Sequence, residues 1–149
     1  MKKLISLTLI SAAIAGCATT LTGRNQLMNV SPNPAILESE KAYASTVGEL
    51  DSNKQLITDK AWVNRISNIT GRLVTEAIKL QPETKDWKWS VAIIDDPNTL
   101  NAWCMAGGRM AIYTGIVSQL NLTDDEIAQI MGHEISHALA NHTAERMSR

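Results

Sequence analysis

Between residues 58 and 80 the apolar positions Trp62, Ile66, Ile69, Leu73, Ala77 and Leu80 recur at steps of three and four. That spacing keeps one stripe of a 3.6-residue helix apolar, so it predicts a helix lying on a core. Gln81-Pro82 ends it, because proline disfavours helical geometry in the residue before it and brings no amide hydrogen. An earlier segment, from Ala35 to about Leu50, also allows a helix. At 87–94, "WKWSVAII", the period drops to two, with Trp87, Trp89, Val91 and Ile93 on one side, and a strand is expected until "DDPN" turns the chain. "LNAWCMA" and "RMAIYT" flank Gly107-Gly108, the dipeptide that best tolerates positive backbone angles, and read as a hairpin. Thr114 to Leu120 reads as a short helix broken by Asn121. The last segment carries the most start signals. Thr123 can cap the amide of Glu126, Glu126 can reach back, Leu122 can pack on Ile127, and Asp124 and Asp125 suit the positive end of the helix dipole. A helix from Thr123 through about residue 145 follows.

Together these elements predict an α+β domain, mainly helical, with a small antiparallel sheet or hairpin beside the last helix. At 149 residues the chain suits one domain. Its 44% hydrophobic and 19% charged residues are ordinary for a folded protein, and a formal net charge of −1 without a clustered basic face argues against nucleic acid as a partner.

The amino terminus departs from this composition. Lys2 and Lys3 precede an apolar run from Leu4 to Ala15, which is too short to span a bilayer as a permanent helix but has the length of a secretory h-region. Ile14-Ala15-Gly16-Cys17 has the form of a bacterial lipobox, so residues 1–16 are expected to be an export signal and Cys17 the lipidated first residue. Cleavage removes two lysines and no acid, leaving −3, so the lipid and not surface charge would hold the chain to a membrane. Residues 18–34, with two prolines and no sustained period, read as tether and entry loop, and residues 35–149 as the folded body. If Cys17 carries lipid, Cys104 has no disulfide partner in the chain; its neighbours Trp103 and Met105 suggest an inert packed thiol.

The chemistry concentrates in "GHEISHALANH", residues 132–142. On a helix at about 100° per residue, His133 and His137 lie about 40° apart and one turn along the axis, so both imidazoles can reach one ion. Zinc takes nitrogen ligands at about 2.0–2.1 Å, and its catalytic sites combine three protein ligands with water. Glu134 sits about 100° from His133, beside the ion and not on it, placed to take a proton from that water. Two of the three histidines at this spacing, with a glutamate in the base position, favour a zinc site over histidines that merely hydrogen-bond their neighbours. His142, nine residues after His133, would be half a turn out of phase on a continuous helix, so it faces away and is expected to be a surface residue or one that supports a ligand from behind. The metzincin pattern would need glycine at 140 and histidine at 143, where the chain has Ala140 and Thr143. Glu126 is two turns from His133 and already used in the cap. No third ligand is expected within the chain.

The run "NAWCMAGGRMAIYTGIVSQLNLTDDEIAQIMGHEISHALANH", behind an export signal and "LTGRNQLMNVS", resembles the periplasmic lipoprotein branch of the HtpX and CAAX-prenyl-protease type zinc metallopeptidases, which are gluzincins. The resemblance implies a zincin-like fold, one Zn²⁺ per chain held by His133 and His137, and Glu134 as general base. It implies that the strand around Asn101 to Ala106 lines the cleft, with Asn101 and Ala102 touching an extended substrate, and that the third ligand is a glutamate in a later Glu-x-x-x-Asp motif. The chain ends at Arg149 in "AERMSR" without that motif, so 35–149 is expected to be the N-terminal part of a metallopeptidase domain, inactive as it stands for want of the third ligand. The implied function is cleavage of misfolded or unassembled envelope proteins by an enzyme lipid-anchored on the periplasmic side of a Gram-negative membrane, outer more than inner. The alternative is a non-catalytic envelope lipoprotein that binds unfolded or partner proteins and keeps a degenerate metal site.

Overall fold

A computed structural model describes residues 17–20 and 23–149. The export signal expected at 1–16 lies outside the described residues. Of Cys17 only the backbone is described: it opens a short strand, β1 (Cys17–Thr19), paired antiparallel with β2 (Asn25–Leu27). Two long helices follow, α1 (Pro32–Ser52) and α2 (Lys60–Leu80), and then a 3-10 turn (Pro82–Asp86). Strands β3 (Ser90–Ile94), β4 (Ala102–Met105) and β5 (Arg109–Tyr113) lead to the short helix α3 (Thr114–Gln119), the long helix α4 (Asp124–Leu139) and the short helix α5 (His142–Met147).

α2 forms where its stripe predicts. The Asp59 carboxylate caps it by accepting from the amides of Ala61 and Trp62, and Ile66, Ile69 and Ala77 are buried. That face meets α4 across a core in which Ile66, Met110, Ile112, Ile127 and Met131 are fully enclosed. Burying a side chain of this size is worth about 1.5–3 kcal/mol, so these residues hold helices and sheet together. α1 starts at Pro32, earlier than the expected Ala35, because proline is tolerated in a first helical turn, where its missing amide hydrogen costs no bond.

The three main strands are ordered β3-β5-β4. The hairpin at Gly107-Gly108 is present, both glycines at φ +83°, and joins β4 to β5 antiparallel. The sheet is mixed, however, since β3 runs parallel to β5, so the expected small antiparallel sheet is only its hairpin half. The expected strand at 87–94 begins at Ser90. Trp87 and Trp89 do pack together, rings 5.3 Å apart, but the Trp89 indole donates back to the Thr84 carbonyl of the 3-10 turn at 2.9 Å. Their shared side reflects indole packing and not a ladder. Among the described residues, no helix is long and apolar enough to cross a membrane.

Two expectations near the termini are corrected. Residues 18–34 are not a plain tether: Gln26 of β2 is buried, Arg24 pairs with Glu145, and the amide of Val30 donates to Ser148 Oγ at 2.8 Å. The last helix does not run to 145 either. α4 stops at Leu139, Asn141 takes the left-handed conformation at φ 55°, and α5 sets off in a new direction. Asparagine tolerates that conformation better than most residues. The freed Ala140 carbonyl receives the Gln26 side-chain amide at 2.6 Å, and Ala144 of α5 packs with Ala35 and Ala106.

Candidate metal centre

The start of α4 sets the phase of everything on it. Thr123 Oγ1 accepts from the Glu126 amide at 3.3 Å, and the Glu126 carboxylate accepts from the Thr123 amide at 2.8 Å. The Thr123 amide and the Thr123 hydroxyl, which also donates to the Glu126 carboxylate at 2.9 Å, lower the carboxyl pKa of Glu126, which is thereby committed to the cap. From this start, Ile127, Met131, Ile135 and Ala138 fall on the buried face, and His133, Glu134 and His137 are left on the side that opens to solvent.

His133 Nε2 and His137 Nε2 are 3.0 Å apart, with ring planes at 81°. Two nitrogens on one tetrahedral zinc at about 2.0–2.1 Å are separated by about 3.3–3.4 Å. The pair therefore needs to open by only a few tenths of an ångström, so this donor set fits a zinc ion. Glu134 and His137 line a cleft of about 760 Å³ that is also lined by Asn101 to Cys104. Among the described residues no group of three histidine, cysteine or acidic side chains is placed to hold a metal.

His142 does not face away. The helix is not continuous, and the elbow at Ala140-Asn141 swings the ring back until its Nδ1 is 2.7 Å from Nδ1 of His137. Burial, then the neighbouring His137 and Arg24, lower the His142 pKa against the opposing pull of Glu145, which favours the neutral ring with its acceptor nitrogen.

Asn101 is exposed and Ala102 is buried at the start of β4. The Asn101 carbonyl accepts from the Tyr113 amide at 3.1 Å, so Asn101 and, by antiparallel alternation, Trp103 turn their backbone groups towards β5. Ala102 and Cys104 turn theirs to the outer edge of the sheet, where, among the described residues, β4 has no neighbouring strand. Cys104 is half-buried there, and desolvation with the charge of Glu134 pushes its thiol up to about 12. It stays protonated at neutral pH and is a poor nucleophile or metal ligand, as its packed setting suggested.

Sequence reasoning missed the clamp behind the elbow. Glu145, buried, accepts from Arg24 at 3.0 and 2.5 Å, from Gln26 at 3.1 Å and from Arg149 at 2.9 Å. The Arg24 bonds above all, against the pull of burial, hold its carboxyl at about 2, below the ordinary 4.5. A carboxyl depressed on folding stabilises the fold fully above its unfolded pKa, and the contribution fades as pH falls from about 4.5 towards 2. Glu145→Gln should therefore lower the thermal midpoint at neutral pH, and the gap to the parent should close through that acid range. A gap that stayed constant on acidification would show that the carboxylate does not stabilise the fold.

A helix carrying His-Glu-x-x-His, capped and packed on a small mixed sheet whose edge strand faces the glutamate, defines a zincin-like metallopeptidase domain. The chain belongs to peptidase family M48, a family of metal-dependent peptidases, whose family model matches residues 61–149. It is 26% identical over 98 residues to the mitochondrial metalloendopeptidase OMA1 of Arabidopsis thaliana, covering 66% of this chain and 19% of that one. It is 28% identical over 127 residues to the human metalloendopeptidase OMA1, covering 85% and 23%. With the metalloprotease YcaL of Escherichia coli it shares 27% identity over 145 residues, covering 91% and 55%. The chain thus spans about a fifth to a quarter of the mitochondrial relatives and about half of YcaL. No solved structure matches it significantly. Membership of a peptidase family disfavours the non-catalytic reading.

Proposed function

We propose that this chain carries the zinc-binding and general-base part of a metalloendopeptidase active centre, in the periplasmic lipoprotein branch of its family. The observation that carries this reading is the approach of His133 Nε2 and His137 Nε2 to 3.0 Å, with His137 and Glu134 lining a cleft that is also lined by Asn101 to Cys104 at the start of β4. His133 and His137 hold one Zn²⁺, with a glutamate of a Glu-x-x-x-Asp motif as the third ligand. Zinc, when bound, supplies a Lewis acid and lowers the pKa of water to about 7. Glu134 takes the proton of the attacking water and delivers it to the leaving amine. The outward backbone groups of Ala102 and Cys104 bind an extended polypeptide as an added strand, with Asn101 at its end, and so fix the scissile bond over Glu134.

Binding through the backbone suits unfolded chains, since a folded protein rarely offers a free extended segment. The substrates we propose are misfolded or unassembled envelope proteins. Residues 1–16 act as the export signal and Cys17 as the lipid anchor, which places the cleft on the periplasmic side of a Gram-negative envelope membrane, outer more than inner. Casein cleavage by the protein expressed from its full reading frame should be abolished by a chelator and restored by one equivalent of zinc. Cleavage that survives complete removal of metal would rule the reading out.

A further inference from the structure

We infer that His142 is a positioning residue for the metal centre: it accepts the Nδ1 proton of His137, and β2 holds it in place through the elbow between α4 and α5. The inference rests on the reading of His133 and His137 as metal ligands. A neutral imidazole has one N–H and one lone pair, so the nitrogen that donates decides which one can bind a metal. Nδ1 of His137 lies 2.7 Å from Nδ1 of His142, and its Nε2 lies 3.0 Å from Nε2 of His133. If His137 donates from Nδ1 to His142, its Nε2 lone pair is fixed towards the point where the two Nε2 atoms converge. Metal-binding histidines almost always donate their second N–H to a carboxylate, carbonyl or water. Here an imidazole fills that role. The nearby carboxylate of Glu145 is taken by Arg24, Gln26 and Arg149. The contact nitrogen of His142 lies on the Nδ1 side of His137, opposite the Nε2 pair, so it cannot bind the same ion.

The contact depends on the elbow. On an uninterrupted helix His142 would lie half a turn from His133. The turn at Asn141 brings it back, and Gln26 of β2 and Arg24 just before that strand hold that turn. Gln26 donates to the Ala140 carbonyl at 2.6 Å and to Glu145 at 3.1 Å, and Arg24 makes a two-pronged pair with Glu145. β2 therefore reaches the metal ligand through Glu145, Ala140 and His142, although neither Arg24 nor Gln26 touches His133 or His137.

The test measures Zn²⁺ affinity by chelator competition, on the protein expressed from its full reading frame, for the parent, His142→Ala, His142→Gln, Gln26→Ala, His133→Ala and His137→Ala. His142→Ala should weaken zinc binding by about 10- to 100-fold. His142→Gln, whose amide oxygen can still accept, should recover part of that loss, and Gln26→Ala should weaken binding in the same direction by less. In the zinc-loaded parent, long-range ¹⁵N NMR should find His137 protonated at Nδ1, a measurement that stands even if a variant folds poorly. Unchanged zinc affinity in His142→Ala, or His137 protonated at Nε2 in the loaded parent, would overturn the inference. So would a loss in His142→Gln as deep as that in His137→Ala, which would make His142 a ligand itself. Failure of the underlying reading would look different: His133→Ala and His137→Ala would then bind zinc as the parent does.

Discussion

Glu134→Gln is expected to lower the rate of peptide hydrolysis by about 10²- to 10⁴-fold and to leave zinc affinity within about twofold of the parent. The reasoning is geometric. Glu134 stands about 100° around α4 from His133, so its carboxylate lies alongside the converging imidazoles and not between them. It lines the cleft with Asn101 to Cys104, near enough to Cys104 that its charge helps raise that thiol. Among the described residues no side chain or backbone amide bonds to it, so both oxygens are free to meet water. Glutamine keeps the shape and removes the proton acceptor, which separates catalysis from metal binding. Zinc content by atomic absorption and casein cleavage, measured on the same preparation, check both halves. If the variant cut at the parental rate, Glu134 would not be the general base; if it lost zinc, Glu134 would be acting as a ligand.

The parts of this centre that were legible from residues alone are those set by local rules. The threes and fours of α2, the Thr123-Glu126 cap and the Gly107-Gly108 turn each depend on residues a few positions apart, so a linear reading can find them. The cap matters most, because fixing where α4 starts fixes which side His133, Glu134 and His137 occupy. Where local patterns were insufficient, the deciding partner is far along the chain. The break at Ala140-Asn141 is held by Gln26, more than a hundred residues away, so the residues next to it predict a continuous helix. Asn141 was the available signal, as a residue that accepts the left-handed turn at a helix end. Missing it inverted the placement of His142. The parallel pairing of β3 with β5 is likewise a matter of register between distant segments, which a two-residue period cannot encode.

Gly115→Ala is expected to cost about 3 kcal/mol of stability, near the top of the range for overpacking a filled core. A Cβ at Gly115 would collide with the Thr99 carbonyl oxygen and stand 2.9 Å from those of Asp96 and Pro97. These are backbone atoms, so no side-chain rotation relieves the clash, and the turn itself must move. That turn is tied down: the Gly115 amide donates to the Asp96 carbonyl at 3.0 Å, and the Asp96 carboxylate accepts from the Asn98 amide at 3.0 Å and the Thr99 hydroxyl at 2.6 Å. It also leads directly into Asn101 and the free edge of β4, so displacing it shifts a wall of the cleft that Glu134 lines. The thermal midpoint should fall by about 10 °C, and the KM for an extended peptide should rise in whatever fraction remains folded. Gly132→Ala supplies the contrast from within the metal helix. Its Cβ would meet only Leu73 Cδ2 at 3.7 Å, an ordinary contact, so helix propensity should decide and the midpoint should hold or rise. If the two substitutions moved the midpoint equally, close packing between the Asp96–Thr99 turn and α3 would not be what holds the β4 edge against the metal helix.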